Sequence, residues 1–369
     1  MYVLIRRFSD MLYIILSYIL SFFYNQTPPK SVKKILVLEL AHIGDIIMTT
    51  PLLNSLRHNF PQAHITFICG SWAEPLLRNN PYVNEIVTYN SAIFTRGSKK
   101  TSFVEAIKLF NHLRKSNYDL LIDLRGDYAS LFFCLLGLAR SRIEWWASHI
   151  IERKLNKLEY EHYVDSKLRI LEKAGLSIQK SDLELKTDEN TKKFVKNYFK
   201  SKKIAEKDFV VVIAPGSGWQ YRRWPKEKFA LLADKLIQEN NARILFIGNK
   251  KERELCGYIA SLMKHDAINS AGDMSLMQTA ELIRNCRLFI GNDSSPMHIA
   301  SAFKVPTVAL FGSNPPTLTG PKNKNSMILW HKTPCCPCHQ LDCKSKDWCM
   351  DKITVEEAFI AVQKLIKKI

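Results

Sequence analysis

Residues 34–40 read Lys-Ile-Leu-Val-Leu-Glu-Leu, and residues 41–45 continue with Ala-His-Ile-Gly-Asp. The first stretch has the leucine and β-branched content of a strand that is buried on both faces of a sheet. Residues 52–59 follow with the apolar spacing of a helix. A strand, a short loop and a helix in this order form the first part of an α/β unit.

The same order recurs along the chain. Further strands are predicted at 64–69, 85–88 and 119–123, with helices at 103–115 and 128–138. After a polar, lysine-rich stretch at 186–207, strands are predicted at 209–214, 243–248, 287–290 and 307–311, with helices at 226–239, 275–285 and 355–368. This alternation predicts two α/β domains with parallel sheets, meeting near residue 190. A ligand is expected in the cleft between them.

Length and composition agree with two folded domains. The chain has 369 residues, of which 46% are hydrophobic and 24% charged, and these values exclude a disordered chain. The net charge of +18 indicates an anionic partner, either nucleic acid or a membrane surface. Composition alone does not choose between these two.

The N-terminal residues 11–24 are apolar apart from Ser17 and Ser21. As a helix this stretch reaches only ~21 Å, which is short of the ~30 Å hydrocarbon core of a bilayer. We therefore predict an in-plane membrane anchor. The alternatives are a helix docked on the protein's own core and a cleaved signal peptide, although no small-residue cleavage site follows. Residues 25–30 then form a linker, because Pro28 and Pro29 stop a helix.

Three loops after predicted strands contain candidate site residues. In the first, Gly44 permits close backbone approach to a ligand and Asp45 opens a helix, although Asp45 as a plain N-cap is the alternative. The Gly-x-Gly-x-x-Gly dinucleotide fingerprint is absent here. Asp123, at the end of another predicted strand, can line the same cleft.

The second loop, residues 214–225, contains Gly216-Ser217-Gly218, which can present N–H groups and a hydroxyl to phosphate. Arg222 and Arg223 can supply the counter-charge, unless the loop is a simple glycine turn with solvated arginines. It lacks the Gly-Lys-Ser/Thr of a P-loop, so the sequence does not support ATP hydrolysis.

The third loop, residues 289–298, places Asp293, Ser294 and Ser295 at the start of a helix. Unpaired N–H groups at such a terminus can hold an anion. A plain N-cap at Ser294 and a structural role for His298 are the alternatives.

Five of the nine cysteines crowd into residues 335–349, whereas the others are dispersed as in a reducing compartment. This density suggests a structural zinc site, with Cys335, Cys338, Cys343 and Cys349 as the candidate ligands. The spacing differs from that of a standard zinc ribbon, and disulfides or free thiols are the alternatives.

These loops, in this order, resemble glycosyltransferase family 9, whose best-known members are ADP-heptose:lipopolysaccharide heptosyltransferases. The matching residues, from about Lys33 to the C-terminus, are 43–45 with 50–51, 215–216 with 223–225, 271–276, 291–298, 306–312 and the cysteine-rich tail. The resemblance implies the GT-B fold, with two Rossmann-like domains facing across a cleft. It also implies inversion at the transferred sugar and a reaction that requires no metal or other cofactor.

The resemblance also implies residue roles and domain bounds. Asp45 falls on the catalytic base, with His42 as its substitute, and Arg222 falls where the family usually has a phosphate-contacting Lys. The implied donor-binding residues are Ser217, Gly218, Arg223, Glu252, Met274, Asp293, Ser294, Ser295 and His298; Gly44, His42 and Asp123 are placed on the acceptor side. The expected parts are a membrane-associating segment and linker (1–30), an acceptor-side domain (31–189), a nucleotide-sugar domain (190–352) and a C-terminal helix packing back towards the first domain (353–369).

The function expected from this resemblance is transfer of heptose from ADP-heptose to an anionic lipopolysaccharide-core glycolipid. The enzyme would act in the cytoplasm at the inner membrane, either peripherally or through its N-terminal anchor. Arg222 in place of Lys and Ser295-Pro296 in place of Gly-Leu depart from the family pattern and leave the donor sugar open. The alternatives are another nucleotide sugar, a protein acceptor, or a catalytically silent glycolipid-binding scaffold. A nucleic-acid partner is disfavoured, since the positive charge belongs to no recognisable binding module.

Overall fold

The structure is a computed structural model that describes residues 15, 27–90, 99–124, 138–145, 161–336, 338, 343 and 348–368. Its contacts divide the chain into two compact units, Met1–Glu184 and Leu185–Ile369, whereas the sequence placed the boundary after residue 189. The predicted N-terminal helix and the helix predicted at 128–138 lie outside the described residues, apart from Ile15 and Leu138. Within the described ranges, no helix combines the length and the apolar character needed to cross a membrane.

The first unit is a five-stranded parallel sheet flanked by helices. Its strands are β1 (Lys34–Leu38), β2 (His64–Cys69), β3 (Glu85–Thr88), β4 (Tyr118–Asp123) and β5 (Ala139–Glu144), and its helices are α1 (Ile43–Ile47), α2 (Thr50–Asn59), α3 (Glu74–Leu77), α4 (Phe103–Lys115) and α5 (Tyr163–Lys173). The strand order is β3-β2-β1-β4-β5, so the chain moves outward from β1 on one side and then returns to its other side. The topological switch point therefore lies between β1 and β4, where open α/β sheets bind ligands.

Burial on both faces explains the apolar sequence of β1. Residues Ile35 to Leu38 are fully buried, since β2 and β4 pair with the strand on either side and helices cover the sheet. Helix α4 covers one face by packing Ala106, Phe110 and Leu113 against this core. The helix begins at a capping box, in which Ser102 and Glu105 satisfy each other's backbone N–H groups.

The edge strand β5 has no counterpart in the sequence analysis. It reads Ala-Arg-Ser-Arg-Ile-Glu, and its charged residues hide the pattern of a strand. Arg142 is nevertheless buried, with its Nη2 atom 2.9 Å from Asp123 Oδ2 on β4. A guanidinium can occupy this core because a neighbouring carboxylate neutralises it.

The second unit is a six-stranded parallel sheet. Its strands are β6 (Phe209–Ala214), β7 (Ala242–Phe246), β8 (Ile268–Asn269), β9 (Leu288–Asn292), β10 (Thr307–Phe311) and β11 (Ser326–Trp330). Its helices are α6 (Glu189–Ser201), α7 (Lys226–Asn240), α8 (Arg253–Ser261), α9 (Leu276–Arg284), α10 (Ser295–Ala302), α11 (Pro316–Thr319) and α12 (Val355–Ile366). The order β11-β10-β9-β6-β7-β8 places the switch point between β6 and β9.

The lysine-rich stretch at 186–207 is not the polar break that its composition suggested. Asp188 caps helix α6 by accepting a hydrogen bond from the N–H of Thr191. The helix buries Thr191 and Val195 and packs against α9. Its apolar side is narrow, and the lysines on the exposed side obscured the helical spacing.

The C-terminal helix α12 contributes to the core of the second unit. It packs on α7, β10 and β11, and it buries Ala358, Ala361, Val362 and Leu365. These contacts account for its apolar spacing. Its expected packing towards the first domain stays a prediction.

The pair Arg142–Asp123 is expected to stabilise the first unit. Arg142→Leu leaves the Asp123 carboxylate buried without its cation, so we expect a loss of about 3–5 kcal/mol in the free energy of unfolding, measured in urea. Leu at both positions should recover most of that loss. Arg140→Leu is the matched control, because Arg140 lies on the same strand with a side chain that is 77% exposed. An unfolding midpoint for Arg142→Leu as high as that of the control would contradict this role.

Candidate functional site

The loop after β1 holds Asp45 inside the first turn of α1. His42, and not Asp45, occupies the N-cap position, and the Asp45 side chain instead caps the start of α1 from inside its first turn, as the second member of a capping box. Asp45 is the third helical residue, and its Oδ2 atom accepts a hydrogen bond from the backbone N–H of His42 at 3.0 Å. This bond fixes a half-buried carboxylate at the switch point of the first sheet. Gly44 is buried beneath the turn.

A buried lysine, Lys167, donates hydrogen bonds to this loop and to residues on both sides of it. Lys167 Nζ donates to Glu39 Oε2 and to Thr49 Oγ1, each at 2.8 Å, and to the backbone oxygen of Asp45 at 3.3 Å. The lysine and glutamate side chains are 1% and 2% exposed. Nζ also lies 5.2 Å from the centroid of the Trp145 ring. Lys167 therefore joins α5 to the loop that carries the candidate base.

The sequence analysis assigned no role to Lys167 or Glu39. Lys167 is 122 residues away from Asp45 along the chain, and no local pattern connects the two. The one available signal was Glu39, a carboxylate at the end of an otherwise apolar strand, since a buried charge requires a partner.

Asp123, predicted on the acceptor side, is fully buried at the end of β4 and bound to Arg142. Its carboxylate supports the sheet beside the Asp45 loop. Contact with an acceptor stays a prediction for this residue.

In the second unit, the first residues of the loop after β6 are buried. Ser217 is buried and Gly218 is exposed. The backbone oxygen of Ser217 accepts hydrogen bonds from Arg223 Nε at 3.0 Å and from Nη2 at 2.8 Å. Arg223 therefore shapes the loop in this structure, and its predicted contact with a donor stays untested.

The side chain of Asn292 links this loop to the end of β9 through two hydrogen bonds. Its Nδ2 atom donates to the backbone oxygen of Pro215 at 2.8 Å, and its Oδ1 atom accepts from the N–H of Trp224 at 3.0 Å. The residue is fully buried. One side chain thus bridges the two strands that flank the switch point, a role that the sequence analysis missed.

Arg222 and Asp293, predicted separately as donor-site residues, form an ion pair across the same switch point. Arg222 Nη1 lies 2.9 Å from Asp293 Oδ2, and the side chains are 24% and 4% exposed. The Asp293 carboxylate also lies 3.4 Å from both Asn314 Nδ2 and Thr319 Oγ1. The guanidinium is therefore positioned by a buried carboxylate and remains partly open to solvent.

Glu252 lies directly against the loop after β6. A Cβ atom added to Gly216 would meet the Glu252 carboxylate, so any other residue here would require that carboxylate to move. Glu252 Oε2 accepts the backbone N–H of Asn249 at 2.9 Å. Met274 is half-buried between β8 and α9.

The start of α10 carries the remaining predicted donor residues. Ser294 occupies the N-cap position, but its hydroxyl donates to the backbone oxygen of Asn292 at 3.3 Å and does not cap the helix. Ser295 is half-buried, and His298 is buried. All of these residues follow the carboxyl ends of β6, β7, β8 and β9, so the structure gathers the predicted donor residues at one edge of one sheet.

The cysteines fall into two groups. Burial raises the pKa of Cys69, Cys256 and Cys286 to about 12, which suits inert core thiols. The pKa of Cys336 and of Cys349 is raised to about 11, chiefly by burial and to a lesser extent by the charge of neighbouring cysteines of the tail. Among the described residues, no group of three or more His, Cys, Asp or Glu side chains is placed to hold a metal. The zinc site predicted at Cys335, Cys338, Cys343 and Cys349 stays a prediction, since much of 337–347 lies outside those residues.

Known proteins resemble the chain over most of its length. It is 29% identical to lipopolysaccharide heptosyltransferase 3 of Escherichia coli K12 over 340 residues, which cover 88% of this chain and 95% of that protein. It is similar to the crystal structure of a family 9 glycosyltransferase from Veillonella parvula, with a TM-score of 0.79, 22% identity, and coverage of 93% and 100% of the two chains. The structure of E. coli ADP-heptose LPS heptosyltransferase II gives a TM-score of 0.72 and 25% identity, with coverage of 91% and 99%.

These similarities confirm the fold class that the sequence predicted, α/β with two parallel sheets in a GT-B-like arrangement of domains along the chain. The sequence model of glycosyltransferase family 9 (heptosyltransferase) matches residues 106–349. The chain therefore belongs to glycosyltransferase family 9, the heptosyltransferase family, and is an enzyme that transfers glycosyl groups.

Proposed function

We propose that the protein transfers heptose, with inversion, from ADP-heptose to the inner core of a lipopolysaccharide at the cytoplasmic face of the inner membrane. The relatives named above as lipopolysaccharide and ADP-heptose heptosyltransferases support this substrate pair. The observation that carries the proposal is the grouping of Arg222, Asp293, Ser217 and Glu252 at the switch point of the second sheet.

On the donor side, the group that must be stabilised is the diphosphate of the leaving ADP. When the bond between the sugar and ADP breaks, negative charge grows on the leaving phosphate. Arg222 is partly exposed and is held by the buried Asp293, so its guanidinium is positioned before the substrate arrives. A preorganised cation of this kind stabilises the transition state more than the ground state.

On the acceptor side, Asp45 is the proposed base for the attacking hydroxyl. A sugar hydroxyl is a weak nucleophile, and a carboxylate that accepts its proton as the new bond forms accelerates attack. The hydrogen bond from His42 holds one carboxylate oxygen, and Lys167 holds the backbone of the same residue. We propose that these contacts keep the base in one orientation. In this scheme Arg222, and not a catalytic metal, offsets part of the charge that grows on the leaving group.

The nucleotide preference is tested by thermal shift. We expect ADP and ADP-sugars to raise the melting temperature, whereas UDP and GDP forms should not, because a ligand stabilises only the fold that binds it. At a concentration 100 times its Kd, a ligand adds about 2.7 kcal/mol to the free energy of unfolding. Equal shifts with all three nucleotides would contradict the ADP preference.

Arg222→Ala should lower kcat at least about tenfold, since the lost contact acts mainly on the growing charge of the leaving group. Arg222→Lys should retain part of the rate, because it keeps the charge but loses the planar geometry. Arg287→Ala is the control, as Arg287 is an exposed arginine of the same unit that precedes the amino end of β9. An unchanged kcat in Arg222→Ala would exclude this role, whatever the change in KM.

Asp45→Asn should lower the rate at least ~10²-fold while the melting temperature and ADP binding change little. An amide oxygen can still accept the N–H of His42, so the start of α1 is preserved. Asp165→Asn is the matched control, since Asp165 is an exposed first-turn aspartate of α5. Full activity in Asp45→Asn would remove Asp45 as the base, and His42→Ala would then test the substitute.

The N-terminal segment is proposed to hold the enzyme on the membrane without building the active site. A chain beginning at Ser31 keeps the bond from the N–H of Lys33 to Asp119 Oδ2, so the start of β1 is unchanged. We expect it to leave the membrane fraction and to keep its turnover on a water-soluble acceptor. Aggregation or a lowered melting temperature would instead support a helix docked on the protein's own core.

A further inference from the structure

Helix α4 exposes three apolar side chains in its first two turns. Phe103, Val104 and Ile107 are 78%, 60% and 43% exposed. Their spacing places all three within an arc of about 100° around the helix axis. They flank the side of the helix on which Ala106, Phe110 and Leu113 pack into the first unit, and they remain exposed outside that core. We call these three residues the α4 patch.

Basic residues are numerous along α4 and just before it. Residues 99–115 contain five lysines and arginines and a single acidic residue, Glu105. The five cations, Lys99, Lys100, Lys108, Arg114 and Lys115, are all exposed. The carboxylate of Glu105 accepts the N–H of Ser102 at 2.8 Å and completes the helix cap. The N-terminal half of α4 therefore combines exposed apolar side chains with three nearby cations, Lys99, Lys100 and Lys108, while Arg114 and Lys115 lie at the other end of the helix.

The topology of the sheet places the α4 patch at a particular end of the first unit. Helix α4 leads through two residues into β4, so its C-terminus lies at the amino end of the sheet. Its 13 residues rise about 20 Å, which is the length of the neighbouring strands. The first turns, which carry the patch, therefore lie at the carboxyl end of the sheet. The Asp45 loop follows the carboxyl end of β1 at that same edge.

We propose that the α4 patch docks on the surface of an anionic phospholipid bilayer, with the apolar side chains inserted among the lipids and the cations on the headgroups. Partition into lipid needs no complementary shape, and its strength grows with the apolar area inserted and with the number of nearby cations, both of which the patch supplies. A stable protein interface usually buries ~1,200 Å² or more, which is far more than this patch offers. A second copy of the chain is disfavoured, because two such faces would bring like charges together. Docking here turns the edge with Asp45 towards the membrane.

The test is flotation of the full-length chain with vesicles of phosphatidylglycerol and phosphatidylethanolamine, or of phosphatidylcholine alone. The patch variant is Phe103→Ser with Ile107→Ser. The control is Leu231→Ser with Leu262→Ser, which removes two side chains of the second unit that are 57% and 40% exposed. All of these chains retain residues 1–30, so binding through that segment is common to them.

On the anionic vesicles we expect the patch variant to lose about tenfold in its partition constant, because the apolar area no longer leaves water. The control should stay within about twofold of the wild type. Lys99→Gln with Lys108→Gln should weaken binding to anionic vesicles and leave the weak binding to phosphatidylcholine unchanged. Retention of binding in the patch variant, or an equal loss in the control, would overturn the proposal.

Two further measurements separate membrane docking from self-association and from a loss of catalysis. Sedimentation should show the same oligomeric state for the wild type and the patch variant; a wild-type dimer that the variant abolishes would make the patch a self-association interface and overturn the proposal. Glycosyl transfer to a water-soluble acceptor should be equal in the two proteins. The flotation result depends on neither donor nor acceptor, so failure of the proposed reaction and failure of membrane docking are distinguishable.

Discussion

Parallel pairing on both sides of β1 and β6 is the constraint on which the rest of the protein depends. Each is the first strand of its unit, lies inside its sheet, and has neighbours that the chain reaches by moving first to one side and then to the other. Burial on both faces requires an uninterrupted apolar sequence, which both strands have. The polar residues are consequently displaced to the loops at the carboxyl ends, where the two switch points gather them.

Three buried or half-buried cations hold these loops in place. Lys167 supports the Asp45 turn, Arg142 neutralises Asp123 beside it, and Arg222 pairs with Asp293 in the second unit. Each partner carboxylate is almost fully buried, so separation of any pair would leave a charge in a low-dielectric interior. The loops thereby become rigid without a large apolar core of their own. A rigid loop suits a glycosyltransferase, because charged groups that are already positioned reorganise little during the reaction.

In the proposed reaction, the two units contribute different groups. The first unit offers one carboxylate on a short helix turn, whereas the second offers a cation, hydroxyls and backbone groups from four consecutive strand ends. This asymmetry follows from what each proposed substrate needs. Proton removal needs a single oriented base, while a nucleoside diphosphate presents charge, ribose and ring to several partners at once.

The sequence by itself determined the alternation of strands and helices, the two-unit organisation and the loops that carry the candidate site. Apolar β1 and β6 and the glycine-containing loops after them were visible because their residues are neighbours along the chain. The sequence analysis missed several elements, among them β5, β8, β11, α5, α6 and α8. In β5 and α6 the reason is that ion pairing in the one and a narrow buried side in the other allow charged residues inside regular structure. Only the tertiary structure decided that Lys167 supports Asp45, that Asn292 joins two strand ends, and that Glu252 lies against Gly216. The physical reason is that each of these contacts joins side chains far apart along the chain, and burial, which sequence spacing does not specify, selects the partner.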